Sequence, residues 1–203
     1  MNSFKKNIYK MQSTSIPSNA EFFPFDFMVV RFIYITPEQG TNLDVMVGYE
    51  NTNTIFDNDY VGNNQLPNDV KIPNNSTADQ EAYLWWGGDD VSIISGLRVE
   101  AVVINLKKLL TQNTVINRYV HIPLRLSWHE AKGSGSITLN FTTYEGGIIV
   151  PNGTNFTVQN PINETSVSVY NNLVNSVGQA TLLNSTLIGT VIYDSLTRQA
   201  VLI

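Results

Sequence analysis

Cysteine is absent from this 203-residue chain. That excludes disulfides, thiolate metal ligands and thiol nucleophiles, and it leaves the redox compartment unmarked. Charge is scarce: 14% of the residues are Asp, Glu, Lys or Arg, against about a quarter in an ordinary domain. The balance is acidic, with a formal net charge of −5. Phosphate binding depends on clustered Lys and Arg, so no nucleic-acid partner is expected. The one basic cluster, Lys5, Lys6 and Lys10, reads as a solvated terminal stretch. No apolar core follows the lysines of MNSFKKNIYKMQSTS, so no secretory signal is expected. Long hydrophobic runs are missing too. FFPFDFMVVRFIYI is interrupted by Pro24, Asp26 and Arg31 and is too short to span a bilayer, so no membrane partner is expected.

Catalytic signatures are equally sparse. There is no HExxH motif, no nucleophile elbow and no phosphate-binding glycine loop. The two histidines, His121 and His129, lie eight residues apart, roughly 26 Å along a straight strand, too far to share a metal ion. The expectation is a protein that is not an enzyme.

What the chain does have is β patterning. In RYVHIPLRLSW, Val120, Ile122, Leu124, Leu126 and Trp128 alternate with His121, Pro123, Arg125 and Ser127, the period-two signature of a half-buried strand. Pro123 points to an edge or a bulge. Residues 134–144 alternate in the same way, and Lys132-Gly133-Ser134-Gly135 reads as a hairpin connection between the two. Phe25 to Ile35 is β-branched or aromatic on both faces, as in a strand covered on both sides. Leu43 to Tyr49, Ala82 to Trp86 and Arg98 to Leu106 read as further strands, with one helical turn at Lys107 to Leu110. No segment holds a 3.6-residue period. The fold class is therefore all-β, a two-sheet sandwich of jelly-roll type. Its parts are an N-terminal arm (1–21), the sandwich (22–160) and a C-terminal β extension (161–203). That extension either belongs to the same domain or reaches a neighbour. The expected core comprises Phe27, Val29, Ile33, Val103, Leu124, Leu126, Leu139 and Phe141.

Aspartates at loop mouths are the candidate site. Asp44, Asp57, Asp59, Asp89 and Asp90 stand beside strand-like residues, and Ca²⁺ needs six to eight oxygens that converging loops can supply. Asp57-Asn58-Asp59 is not an EF-hand, because Val61 stands at the fifth position and no terminal Glu follows. The same residue types also favour turns, where they bond to nearby backbone N–H groups.

The order of motifs resembles the tellurium-resistance TerD family of Ca²⁺-binding β-sandwich proteins. Asn42-Leu43-Asp44 stands at the family's Asp-Leu-Asp strand, Asp57-Asn58-Asp59-Tyr60-Val61 at its Asp-Phe-Val segment and Gly88-Asp89-Asp90 at its Gly-Asp-Asn stretch. Val103-Ile104-Asn105-Leu106 stands at its Val-Asp-Leu strand, and the resemblance covers residues 25 to 145. It implies a Ca²⁺ site at Asp44, Asp57, Asp59, Asp89 and Asp90. Three departures weaken it: Asn42 and Asn105 replace aspartates, and residues 91–99 contain no carboxylate where the family has an acidic loop. Weak Ca²⁺ binding at most, and no other cofactor, is the expectation.

Cysteine-free, Asn- and Thr-rich β-proteins with polar arms resemble tailed-phage virion components. The functional expectation is thus a structural, assembly-forming protein of a virion. It would pack on other subunits as a homo-oligomer or in a larger assembly. The alternatives are a cytoplasmic Ca²⁺-binding stress protein of the TerD type and a carbohydrate- or receptor-binding module using the aromatics of Tyr83-Leu84-Trp85-Trp86.

Overall fold

The computed structural model describes residues 20–36, 42–62, 70–71, 82–87, 96–111, 115–129, 137–152, 155–171 and 174–203. They form two six-stranded antiparallel sheets and one hairpin. Sheet I runs, in spatial order, β1 (Ala20–Phe22), β14 (Gln199–Leu202), β13 (Thr186–Asp194), β8 (Tyr119–Trp128), β3 (Leu43–Gly48) and β4 (Tyr60–Gly62). Sheet II runs β12 (Asn163–Asn171), β9 (Ile137–Glu145), β2 (Phe27–Thr36), β7 (Gly96–Asn105), β6 (Leu84–Trp86) and β5 (Val70–Lys71). The hairpin pairs β10 (Ile148–Asn152) with β11 (Asn155–Gln159), and one short helix, α1, spans Leu106–Leu110. The all-β sandwich expected from the patterning is what the chain forms.

The alternation in β8 is realised as read: Val120, Ile122, Leu124, Leu126 and Trp128 all face the main core. Its position differs, however. β8 is interior, flanked by β13 and β3. Pro123 is accommodated because the β3–β8 ladder stops at Val47–Leu124 and resumes only at the Glu50–His121 bridge. The missing N–H falls in that gap. Nor do β8 and β9 form a hairpin. They belong to different sheets; residues 130–136, with the expected turn, lie outside the described set.

Of the core residues expected on β2, Phe27 and Val29 are fully buried and Ile33 is not. The β2 side chains that point between the sheets are Met28, Val30, Phe32 and Tyr34. Phe27 and Val29 are buried on the opposite face, in a second cluster with Trp85, Val103 and Tyr144. The β10–β11 hairpin covers that cluster with Ile149, Phe156 and Val158. Ile33, beyond the hairpin's reach, is half-buried. An apolar run on both faces carries no parity signal, and here each face has its own cover.

The segment after 161 is woven into both sheets. β12 lies at the edge of sheet II, while β13 sits between β8 and β14 within sheet I, with Val191, Tyr193 and Leu202 in the core. β1, at the end of the expected arm, pairs with β14; residues 1–19 lie outside the described set.

A polar lock joins the sheets at one end. Asp26, just before β2, accepts hydrogen bonds from Gly146 N at 2.7 Å and from Arg198 Nη1 at 2.8 Å. Arg198 sits in the β13–β14 turn with φ +59°, and its Nη2 also reaches Glu145 Oε1 at 3.3 Å. Its carbonyl accepts from Phe25 N at 3.0 Å.

Candidate functional site

The 50–59 loop carries two of the candidate aspartates, and its shape is set by asparagines. Asn51, Asn53 and Asn58 all adopt left-handed conformations, φ 58° to 62°, which Asn tolerates better than most residues. Asn51 Nδ2 donates to Tyr119 O at 2.9 Å and Asn53 Nδ2 to Val115 O at 2.6 Å, which ties the loop to the start of β8. Within it, Asp57 Oδ1 accepts from Thr52 N at 2.8 Å and from Thr52 Oγ1 at 3.3 Å. Asp59 Oδ2 accepts from the Tyr83 hydroxyl. The Tyr83 ring stacks on Phe56, with centroids 3.7 Å apart, and Tyr49 O–H donates to Tyr83 O at 3.1 Å. The Tyr60 hydroxyl donates to Glu50 Oε1. Burial first, and then that carboxylate, raise the Tyr60 phenol well above its ordinary value.

Asp44 lies elsewhere. It projects from the outer face of β3 opposite Ser127, where His129 Nδ1 stands 3.4 Å from Oδ2 and Ala180 N donates to the same oxygen at 3.4 Å. Five residues of extended strand, about 16 Å, separate it from the Tyr49 level at which Asp59 lies. The structure thus puts Asp57 and Asp59 in one loop and keeps Asp44 apart from them. Asp89 and Asp90 lie outside the described residues. Among the described residues, no three His, Cys, Asp or Glu side chains form a group that could hold a metal ion.

The two asparagines that depart from the TerD pattern have structural work. Asn42 Oδ1 accepts from the Tyr34 hydroxyl at 2.8 Å. Asn105 caps α1 through Oδ1, which accepts from Lys108 N at 2.9 Å, while its Nδ2 donates to Ala82 O at 3.0 Å. A carboxylate could perform the first of those two roles of Asn105 and not the second.

The aromatic stretch at 83–86 does not form an exposed platform. Tyr83, Trp85 and Trp86 are all buried: Trp86 between the sheets and Trp85 under the β10–β11 hairpin. Adjacent residues on a strand must face opposite ways, and both faces are covered here.

One exposed apolar patch lies at the start of β7, where the usual alternation is inverted. Arg98 and Glu100 point inward and are buried, with Trp86 Nε1 donating to Glu100 Oε2 at 3.4 Å. Leu97 and Val99 point outward and are 68% and 43% exposed. Across the ladder, Leu97 pairs with Ile35, itself 58% exposed, and Val99 pairs with Ile33. These four form one contiguous patch on the outer face of sheet II, next to the half of that face covered by the hairpin. The L-R-V-E order was the available sequence signal, and reading 98–106 as an ordinary strand missed it. No family model matches the chain, and no curated protein or solved structure gives a significant match.

Proposed function

We propose that the chain is a non-enzymatic structural subunit of a tailed-phage virion, packing on neighbouring protein subunits. The observation that carries the reading is the inverted start of β7. Leaving Leu97, Val99 and Ile35 68%, 43% and 58% exposed forgoes roughly half of the about 1.5–3 kcal/mol that full burial of each side chain supplies. That arrangement is favourable in a protein whose outer face meets another apolar surface. The other half of the face supplies a precedent, since Phe27, Val29 and Val103 are covered within the chain by the apolar side of a hairpin. The Ca²⁺-binding stress-protein reading draws less support, because the described aspartates each serve a neighbouring protein group.

The test is quantitative mass spectrometry of purified particles, made with the wild-type chain or with Ile35→Lys/Leu97→Glu. The wild-type chain should be present at a fixed copy number. The variant should remain folded and soluble but fall at least about tenfold in the particles, the effect of ~1.4 kcal/mol. Absence of the wild-type chain from particles, or undiminished incorporation of the variant, overturns the reading.

A further inference from the structure

Strand edges are the other place where a sandwich leaves backbone groups open to a partner. Among the strands that end the two sheets, β1, β4 and β5 are three, three and two residues long. β12 is different. All nine of its residues pair with β9 on one side, and no strand lies on its other side among the described residues. An exposed row of N–H and C=O groups of that length is a template for another strand. The usual protection is missing: NETSVSVYN has no proline and no lysine, and its one charge, Glu164, points outward. Its pairing with β9 runs without a register shift, so no bulge twists the edge away. The β10–β11 hairpin packs toward Phe27, Trp85 and Val103 and leaves this edge clear.

The sequence of β12 indicates which strand would fit. It is nearly symmetric about Val167, with Ser166 and Ser168 on one face and Thr165 and Val169 on the other. An antiparallel copy centred there sets Ser166 against Ser168 and Thr165 against Val169. The two Glu164 carboxylates then lie about 20 Å apart, at opposite ends of the pair. Val167 packs at the rim of the main core and is only partly buried, and its counterpart in the second copy would extend that cover.

We infer that β12 pairs with β12 of a second copy of this chain about a two-fold axis at Val167, fusing two six-stranded sheets into one of twelve. For its biological use, the pairing rests on the assembly reading above. Light scattering on the full chain should give twice the 22.7 kDa monomer mass. Ser166→Lys/Ser168→Lys should return it to the monomer, with circular dichroism and melting still those of a folded protein. Ser166→Glu/Ser168→Glu should do the same alone, and mixing the two variants should restore a dimer, since each introduced charge then meets its opposite. Should the charged variants fail to fold, Val167→Cys decides. In this cysteine-free chain, mild oxidation should link it into a disulfide dimer, whereas Thr197→Cys should stay monomeric. A monomeric wild-type chain overturns the pairing. So does a dimer that persists in the charged variants, or one that Val167→Cys fails to cross-link. The assembly reading is judged separately by the Ile35/Leu97 variant, which leaves β12 untouched.

Discussion

Asp26→Ala removes the centre of the lock that joins the two sheets. The carboxylate is nearly buried and accepts two bonds, from Gly146 N and Arg198 Nη1, at 2.7 and 2.8 Å. Hydrogen bonds to a charged group contribute about 1.5–3 kcal/mol each. The Arg198 side chain is 38% exposed, so water recovers part of its loss and its bond belongs at the low end of that range. The bond from Gly146 N is also only part-buried and belongs there too. The sum is about 3 kcal/mol, which for a chain of this length lowers the melting temperature by roughly 6–12 °C. Arg198→Ala should cost about 1 kcal/mol, and Arg198→Gly less, because glycine relaxes the φ of +59°. Thermal and urea unfolding of the two single variants and the double variant complete a cycle, with an expected coupling of about 1 kcal/mol or more. A shift under about 2 °C for Asp26→Ala, or strict additivity in the cycle, would refute the lock as a stabilising contact.

Other substitutions probe the rest of the molecule. Asp57→Ala should destabilise by about 1–2 kcal/mol through the loss of the Thr52 bonds, equally in chelator and in Ca²⁺. A melting temperature raised more than about five degrees by Ca²⁺ in the wild-type chain, and not in the variant, would assign that loop a cation. Gly62→Ala should cost about 2 kcal/mol or more in denaturant melts, because φ is +87° and a Cβ would overlap the Val45 carbonyl. Wild-type stability in this variant would contradict the close approach of β3 and β4. Tyr49, Tyr60 and Tyr193 have phenol pKa values raised chiefly by burial. An acid whose folded pKa is raised stabilises the fold below its unfolded value and loses that contribution as pH climbs past it. Stability should therefore fall above about pH 10, and absorbance titration should show these tyrosines ionising only as the chain unfolds. Smooth ionisation of all nine tyrosines at ordinary pH values, with the fold intact, would contradict their burial.

How far the sequence could be read depended on whether one face of an element was dry and the other wet. β8 met that condition, and its inward set was recoverable residue by residue. β2 did not: Phe27 and Val29 are as buried as Met28 and Val30, so composition revealed a strand and concealed which face was which. The helical turn read at Lys107 to Leu110 lies within a residue of α1, and the Asn105 ahead of it was a local capping signal that the reading did not use. Asp26 and Arg198, 172 positions apart, carry no local signal at all. The candidate aspartates illustrate the same limit. Asp57 and Asp59 are recognisable as loop residues from their neighbours, but whether a carboxylate faces a cation or a threonine N–H is decided by the path of the loop. The inverted stretch at Leu97–Glu100 was visible as alternation, although only the folded chain shows which phase of it points outward.

The place of β13 between β8 and β14 has a consequence for synthesis. β8 ends at Trp128, and the strand that pairs with its far side begins at Thr186, about 60 residues later. At about 5–20 residues per second, a nascent chain would hold the β8 flank open for roughly 3–12 s before β13 is made. Through that interval Val120, Ile122, Leu124 and Leu126 lie on a strand whose second neighbour does not yet exist. Ribosome-bound chains halted before Thr186 should therefore engage chaperones and resist native-like compaction, and chains extended through Leu202 should release them.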